Sequence, residues 1–184
     1  MSDFIEQLAA KASDEGLLDV AYATLDTRIG SIVVAATNKG LVRVVLPGEP
    51  LDNVLMELAE NVSPRVMAYP RRLDEARREL EQYFEGQRRR FELPLDWRLS
   101  HPGFYRRVLR ATAKVPFGEV ITYTDAAERA GSPRAFRAAG SALGSNPIPI
   151  VVPCHRVVRA GGDIGNYGGG PELKRFLLEL EHAL

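Results

Sequence analysis

The chain has one cysteine, Cys154, set between Pro153 and His155. A thiol next to an imidazole places a nucleophile beside a base, because a neighbouring histidine can take the thiol proton or favour the thiolate. The apolar run Ile148-Pro149-Ile150-Val151-Val152 leads into Cys154 and reads as a buried strand, and a glycine-rich loop carrying Tyr167 follows. Taken alone, a lone cysteine more often packs as a small hydrophobe than reacts. Adjacent side chains of an extended segment also point apart. Proton exchange between Cys154 and His155 therefore needs a bridging water or a local turn.

Two further sets of residues have chemistry in reach. In the last helix, expected over 171–182, Leu173, Phe176, Leu177 and Leu180 mark the buried stripe, and Glu181 follows Leu177 by four residues. Carboxylates are rarely buried unless paired. Glu181 is thus either an exposed group in a fraying turn or the partner of a histidine. Upstream, a helix over 133–143 opens with Arg134 and Arg137 and continues with Ala135, Ala138, Ala139, Gly140, Ser141 and Ala142. Major-groove readers present Asn, Gln, Arg or Lys. This small-residue surface suits close approach to a sugar-phosphate backbone or the shallower groove, or else tight packing, with Phe136 and Leu143 facing a core.

The elements that must hold these residues follow from periodicity and punctuation. A helix from Phe104 through Val108, Leu109 and Thr112 precedes the turn Pro116-Phe117-Gly118. A second helix begins at Thr122, with Asp125 three residues on as a capping box, and Gly131 ends it. Ser132 and Pro133 read as the cap and first position of the next helix. The pair makes a helix-turn-helix. In the other half, residues 4–13 read as a short amphipathic helix. Strands are expected over 20–25, 30–36 and 40–46, helices over 52–59 and 73–85, and a strand over 91–95. Residues 95–100 read as a linker. The expected class is α+β: a small N-terminal α/β domain on an antiparallel sheet (1–94) and a C-terminal helical domain with a winged-type helix-turn-helix (95–184).

Composition bounds the rest. Residues 1–94 hold 12 basic and 16 acidic side chains and residues 95–184 hold 12 and 8. The net charge of zero thus hides a basic C-terminal half suited to a polyanion. No apolar run approaches the ~20 residues of a membrane helix. One cysteine excludes internal disulfides, and a free thiol fits a reducing, cytoplasmic setting. No Cys or His precedes His101, so the first half has no ligand set for zinc of the Cys/His kind.

The string Pro153-Cys154-His155-Arg156-Val157-Val158, after Asn146-Pro147-Ile148-Pro149-Ile150 and before Gly165-Asn166-Tyr167, resembles the active-site signature of the alkylguanine-DNA alkyltransferases, with the likeness clearest over residues 101–181. The resemblance implies repair of double-stranded DNA by a monomer without cofactor or metal. A damaged guanine is flipped through the minor groove, and its alkyl group moves irreversibly from the six-position oxygen (less so from the four-position oxygen of thymine) to Cys154. It further implies His155 as base through a water, Glu181 as its orienting partner, and Asn146 as the hinge to the helix-turn-helix. Arg137 would be the finger that fills the stack, and Tyr123 the residue that turns the nucleotide and protonates the leaving guanine. Leu143, Val157, Tyr167, Gly168 and Gly169 would form the pocket, and Arg134, Ala135, Ala138, Ala139, Gly140 and Ser141 would lie along DNA. Gly168 departs from the many relatives with serine there. The alternatives are a non-catalytic lesion sensor of the alkyltransferase-like type, which lacks the cysteine, a plain helix-turn-helix regulator, and a cysteine hydrolase.

Overall fold

The computed structural model of the chain describes residues 2–184. Contacts divide it into two compact units, one of residues up to 82 with 92–99, the other of residues 83–91 with 100–184. The chain thus changes unit three times, where the sequence suggested one boundary after residue 94.

The first unit follows helix α1 (Ser2–Asp14) with strands β1 (Val20–Thr27), β2 (Gly30–Thr37) and β3 (Gly40–Val45), helix α2 (Leu51–Asn61), strand β4 (Val66–Ala68) and helix α3 (Asp74–Phe84), whose last two residues belong to the second unit. The sheet order is β3-β2-β1-β4. The first three strands are antiparallel as expected, but β4 pairs parallel to β1, with Val20 opposite Val66, so the sheet is mixed. A three-residue strand between Pro64 and Pro70 carries no periodicity to find. Val20, Ala35, Val42 and Val45 bury one face of the sheet against Val54 and Leu58 of α2, each of the valines and Leu58 contributing about 1.5–3 kcal/mol.

The strand expected over 91–95 does not form, because Pro94 has no N–H to donate. Instead the Leu41 N–H donates to the Pro94 carbonyl and the Asp96 N–H to the Leu41 carbonyl, both at 2.8 Å. Gly40 makes this possible: at φ 131°, a Cβ on it would lie 2.2 Å from the Pro94 oxygen. Asp96 is buried and accepts from the Thr37 hydroxyl at 2.6 Å. Residues 94–96 are therefore fastened to β3 and are no free linker.

The second unit contains α4 (Phe104–Thr112), β5 (Ile121–Thr122), α5 (Tyr123–Arg129), α6 (Phe136–Gly144), β6 (Val157–Val158) and α7 (Gly170–Leu180), with β5 and β6 parallel. The Thr122–Asp125 capping box is present in both directions. Arg107 Nε donates to the Ala130 carbonyl at 3.0 Å, fixing α4 to the end of α5.

Three expectations need correction here. Helix α6 starts at Phe136, not Pro133. Ser132 through Ala135 form a turn closed by the Ala135 N–H on the Ser132 carbonyl, and Ser132 makes no side-chain cap. Arg134 and Ala135 accordingly precede the helix. Phe136 is 45% exposed and does not enter the core. The run 148–152 is buried but is a loop: Pro147, Pro149 and Pro153 remove ladder donors, and Ile150 adopts φ 73°. That conformation costs a β-branched residue about 1–3 kcal/mol and persists only under surrounding packing.

Candidate active site

The prolines that prevent a strand also end the loop in one turn of 3₁₀ helix, Cys154–Arg156. Cys154 is 8% exposed. Asn146 holds the loop around it: Nδ2 donates to the Val152 carbonyl at 2.8 Å and to Cys154 Sγ at 3.1 Å, and Oδ1 accepts from the Ile148 N–H at 3.0 Å. The turn at Cys154–His155 replaces the extended geometry expected there.

His155 is fully buried, with Nε2 2.8 Å from Glu181 Oε1. A carboxylate only accepts, so Nε2 carries the proton and Nδ1 keeps its lone pair. Among the described residues, neither His155 Nδ1 nor the Tyr167 hydroxyl has a hydrogen-bond partner. Glu181 is 1% exposed and caps α7, so it is no fraying-turn residue. Buried Arg156 grips it with Nε on Oε2 at 2.7 Å and Nη2 on Oε1 at 2.9 Å, and Tyr83 donates its hydroxyl to Oε1 at 2.6 Å.

Burial raises the Glu181 carboxyl, but hydrogen bonds from His155 and Arg156 and their charges outweigh it and hold the group at about 2. Burial lowers His155 despite the pull of Glu181, which keeps the imidazole neutral at neutral pH. Burial also pushes the Cys154 thiol up, against the Asn146 N–H, the charge of Lys174 and nearby backbone N–H groups. A thiol resting below its ordinary range, as a Cys-His pair suggests, is thus not what this environment produces.

A cleft of about 680 Å³ opens over the thiol. Tyr123, Leu143, Tyr167 and Gly168 line it with Cys154, and so do Arg137, Gly140 and Ser141 of α6. Burial keeps the Tyr123 phenol above its ordinary range, hence protonated and able to donate. Val157 and Gly169 are not among the lining residues, and the Val157 carbonyl accepts from Lys174 Nζ at 2.6 Å. Arg137 is exposed, its guanidinium 5.6 Å from the centre of the Phe136 ring. Ala138 is half-buried and Ala139 fully buried, so Ala139, expected along DNA, packs α6 against its neighbours instead.

The profile of the 6-O-methylguanine DNA methyltransferase DNA binding domain matches residues 103–183, and that of the ribonuclease-like domain of the same methyltransferase matches residues 20–97. The chain belongs to the 6-O-methylguanine DNA methyltransferase family. The methylated-DNA–protein-cysteine methyltransferase of Mycolicibacterium paratuberculosis is 39% identical, over 88% of this chain and 92% of its own. The constitutive enzyme of that name from Bacillus subtilis is 35% identical, over 87% and 94%. The crystal structure of the Mycobacterium tuberculosis OGT in complex with DNA shares the fold with a TM-score of 0.76 and 35% identity, covering 89% of this chain and 93% of that one.

Three members of the site's polar network escape sequence reading in this family member: Tyr83, Arg156 and Lys174. Tyr83 looks like one more apolar residue of α3. Arg156 sits in the signature, but its partner lies 25 residues on. Lys174 falls inside the stripe assigned to leucines and phenylalanine. It is fully buried, and burial lowers it to about 8. Among the described residues, no group of three or more His, Cys, Asp or Glu could hold a metal ion, and no helix is long and apolar enough to cross a membrane.

Proposed function

We propose that this protein repairs double-stranded DNA by transferring an alkyl group, chiefly methyl, from the six-position oxygen of guanine to Cys154. The observation that carries the reading is the shared cleft, which brings the one thiol of the chain to the same cavity as Tyr123 and the Arg137 face of the helix-turn-helix.

The thiol proton passes through a solvent molecule to His155 Nδ1, while Glu181 holds the opposite nitrogen and steadies the imidazolium that forms. Sulfur attacks the alkyl carbon, an S–C bond forms and the C–O bond breaks with its electrons going to the guanine. Tyr123 donates a proton to the departing base. The thioether has no route back, so each molecule acts once. Reaching the base requires turning it out of the stack at a cost of a few kcal/mol, and the planar guanidinium of Arg137 recovers part of it by filling the gap. Thymine alkylated at its four-position oxygen fits the same chemistry less well. The protein works as a monomer in the cytoplasm, without cofactor.

The test is transfer itself. Incubation with a duplex carrying labelled 6-O-methylguanine should move the label to protein, with intact mass rising by one methyl group and peptide mapping placing it on Cys154. Tight lesion binding with the label left on DNA would overturn the proposal in favour of a lesion sensor.

Arg137→Ala separates flipping from chemistry. Repair in duplex DNA should slow by at least about tenfold, given the unstacking cost, while reaction with a free alkylguanine base changes little. Equal losses on both substrates would remove Arg137 from the flipping step.

A further inference from the structure

Glu181 has more partners than orienting one histidine requires. Oε1 alone receives His155 Nε2, Arg156 Nη2 and the Tyr83 hydroxyl, the last at 2.6 Å. We propose that Tyr83 is a positioning residue for alkyl transfer: by sharing Oε1 with His155 it fixes the carboxylate and weakens its pull on the imidazole, which keeps His155 a neutral base. The proposal rests on the reading of His155 as the acceptor of the thiol proton.

Tyr83 is fully buried. Its ring packs among Phe84, Phe91 and Phe117 at centroid distances of 5.4, 5.3 and 6.3 Å. Phenylalanine would fill that space as well. The hydroxyl, by contrast, needs an acceptor to be tolerated without water, and the acceptor it has is the atom on which His155 depends. Burial and the Glu181 charge push the phenol well above its ordinary range, so it stays a donor.

The groups around His155 explain why a weaker pull matters. Glu181, at the end of α7, favours the imidazolium. Arg156 from the same turn and Lys174 from α7 disfavour it, as does burial. Cys154 adjoins it, and the Tyr167 ring stands edge-on at 6.3 Å. Among the described residues, Glu181 is therefore the group that draws a proton onto His155, and each further donor on Oε1 reduces that attraction. Without the Tyr83 hydroxyl, Oε1 keeps more charge for Nε2–H, and the imidazolium becomes easier to form.

Tyr83→Phe tests this with a readout that packing does not move. In the variant, the pH of half-protonation of the His155 ring, followed by ¹⁵N NMR, should rise by about one, or about tenfold less neutral imidazole on the acid side. The acid limb of the pH–rate curve for alkyl transfer should move to higher pH with it. In the wild type, the Tyr83 hydroxyl proton should be protected from solvent exchange and correlate with the His155 ring protons. A His155 ring that titrates at the same pH in both proteins, or in neither, overturns the proposal. A freely exchanging Tyr83 hydroxyl overturns it too, even if the variant fails to fold. Absence of alkyl transfer in the wild type would remove the functional reading instead, and the ring titration would still decide the role of Tyr83.

Discussion

Cys154→Ala should abolish alkyl transfer while affinity for duplex DNA stays within about twofold, the range of a substitution that disturbs no packing. The chain has no second thiol, and the methyl group of alanine has no lone pair to attack carbon. The loss is therefore complete, not a matter of rate. The fold should tolerate the change, because Asn146 Nδ2 keeps its bond to the Val152 carbonyl when the sulfur is gone. Cys154→Ser should behave alike: a hydroxyl can take the Asn146 N–H, but its proton is far harder to remove than that of a thiol. Intact-mass analysis after incubation with methylated duplex, together with an electrophoretic binding assay, checks both halves. Label arriving on the alanine variant would mean that another side chain accepts it.

Arg156→Met should cost the folded state about 3–5 kcal/mol at neutral pH, the usual penalty for leaving one member of a buried ion pair alone. For a protein of this size the melting temperature should fall by on the order of 10 °C. The guanidinium makes both bonds to Glu181 and one to the Val115 carbonyl, and methionine fills the volume without any of them. The penalty also depends on pH. Glu181 lies at about 2 in the folded protein against 4.5 when unperturbed. A carboxyl depressed by folding stabilises fully above its unfolded value, and that stability is lost as pH falls towards the folded one. The wild type should thus lose this stabilisation as pH falls from about 4.5 towards about 2, and its lead over the variant should narrow with it. Urea denaturation across that range measures it. A constant gap would mean that Arg156 acts through packing along its stem and not through the carboxylate.

The legible parts of this protein were those whose signals are local. The amphipathic periods of α3 and α4, the strands β1 to β3 and the Thr122–Asp125 box depend on residues three or four apart, or alternating, and all appear in the structure. Cys154, His155 and Glu181 were legible for another reason, a long signature and a carboxylate on an apolar stripe. The misread parts are those where tertiary contacts override a local preference. Residues 148–152 have β-branched composition, yet the loop is held by Asn146 and by bonds such as the Val152 N–H on the Ile148 carbonyl at 2.9 Å. Ser132-Pro133 is a good helix start by propensity. Here the Ser132 N–H reaches back to the Ala127 carbonyl at 2.9 Å and delays the helix by a turn. Tyr83, Arg156 and Lys174 were invisible because a buried polar residue is recognisable only once its distant partner is known.

The fastening of residues 94–96 to β3 bears on how the first unit could be handled alone. β3 is the outermost strand of its sheet, opposite the three-residue β4. Its outer row of backbone groups would be a template for pairing with another chain, and the bonds between Leu41 and residues 94–96 occupy part of that row. A fragment cut after residue 94 would lose the Asp96 N–H and the Asp96–Thr37 bond and leave the strand open to a stranger's backbone. Ending five residues later, after Leu99, keeps these bonds and the cover they give the edge of β3.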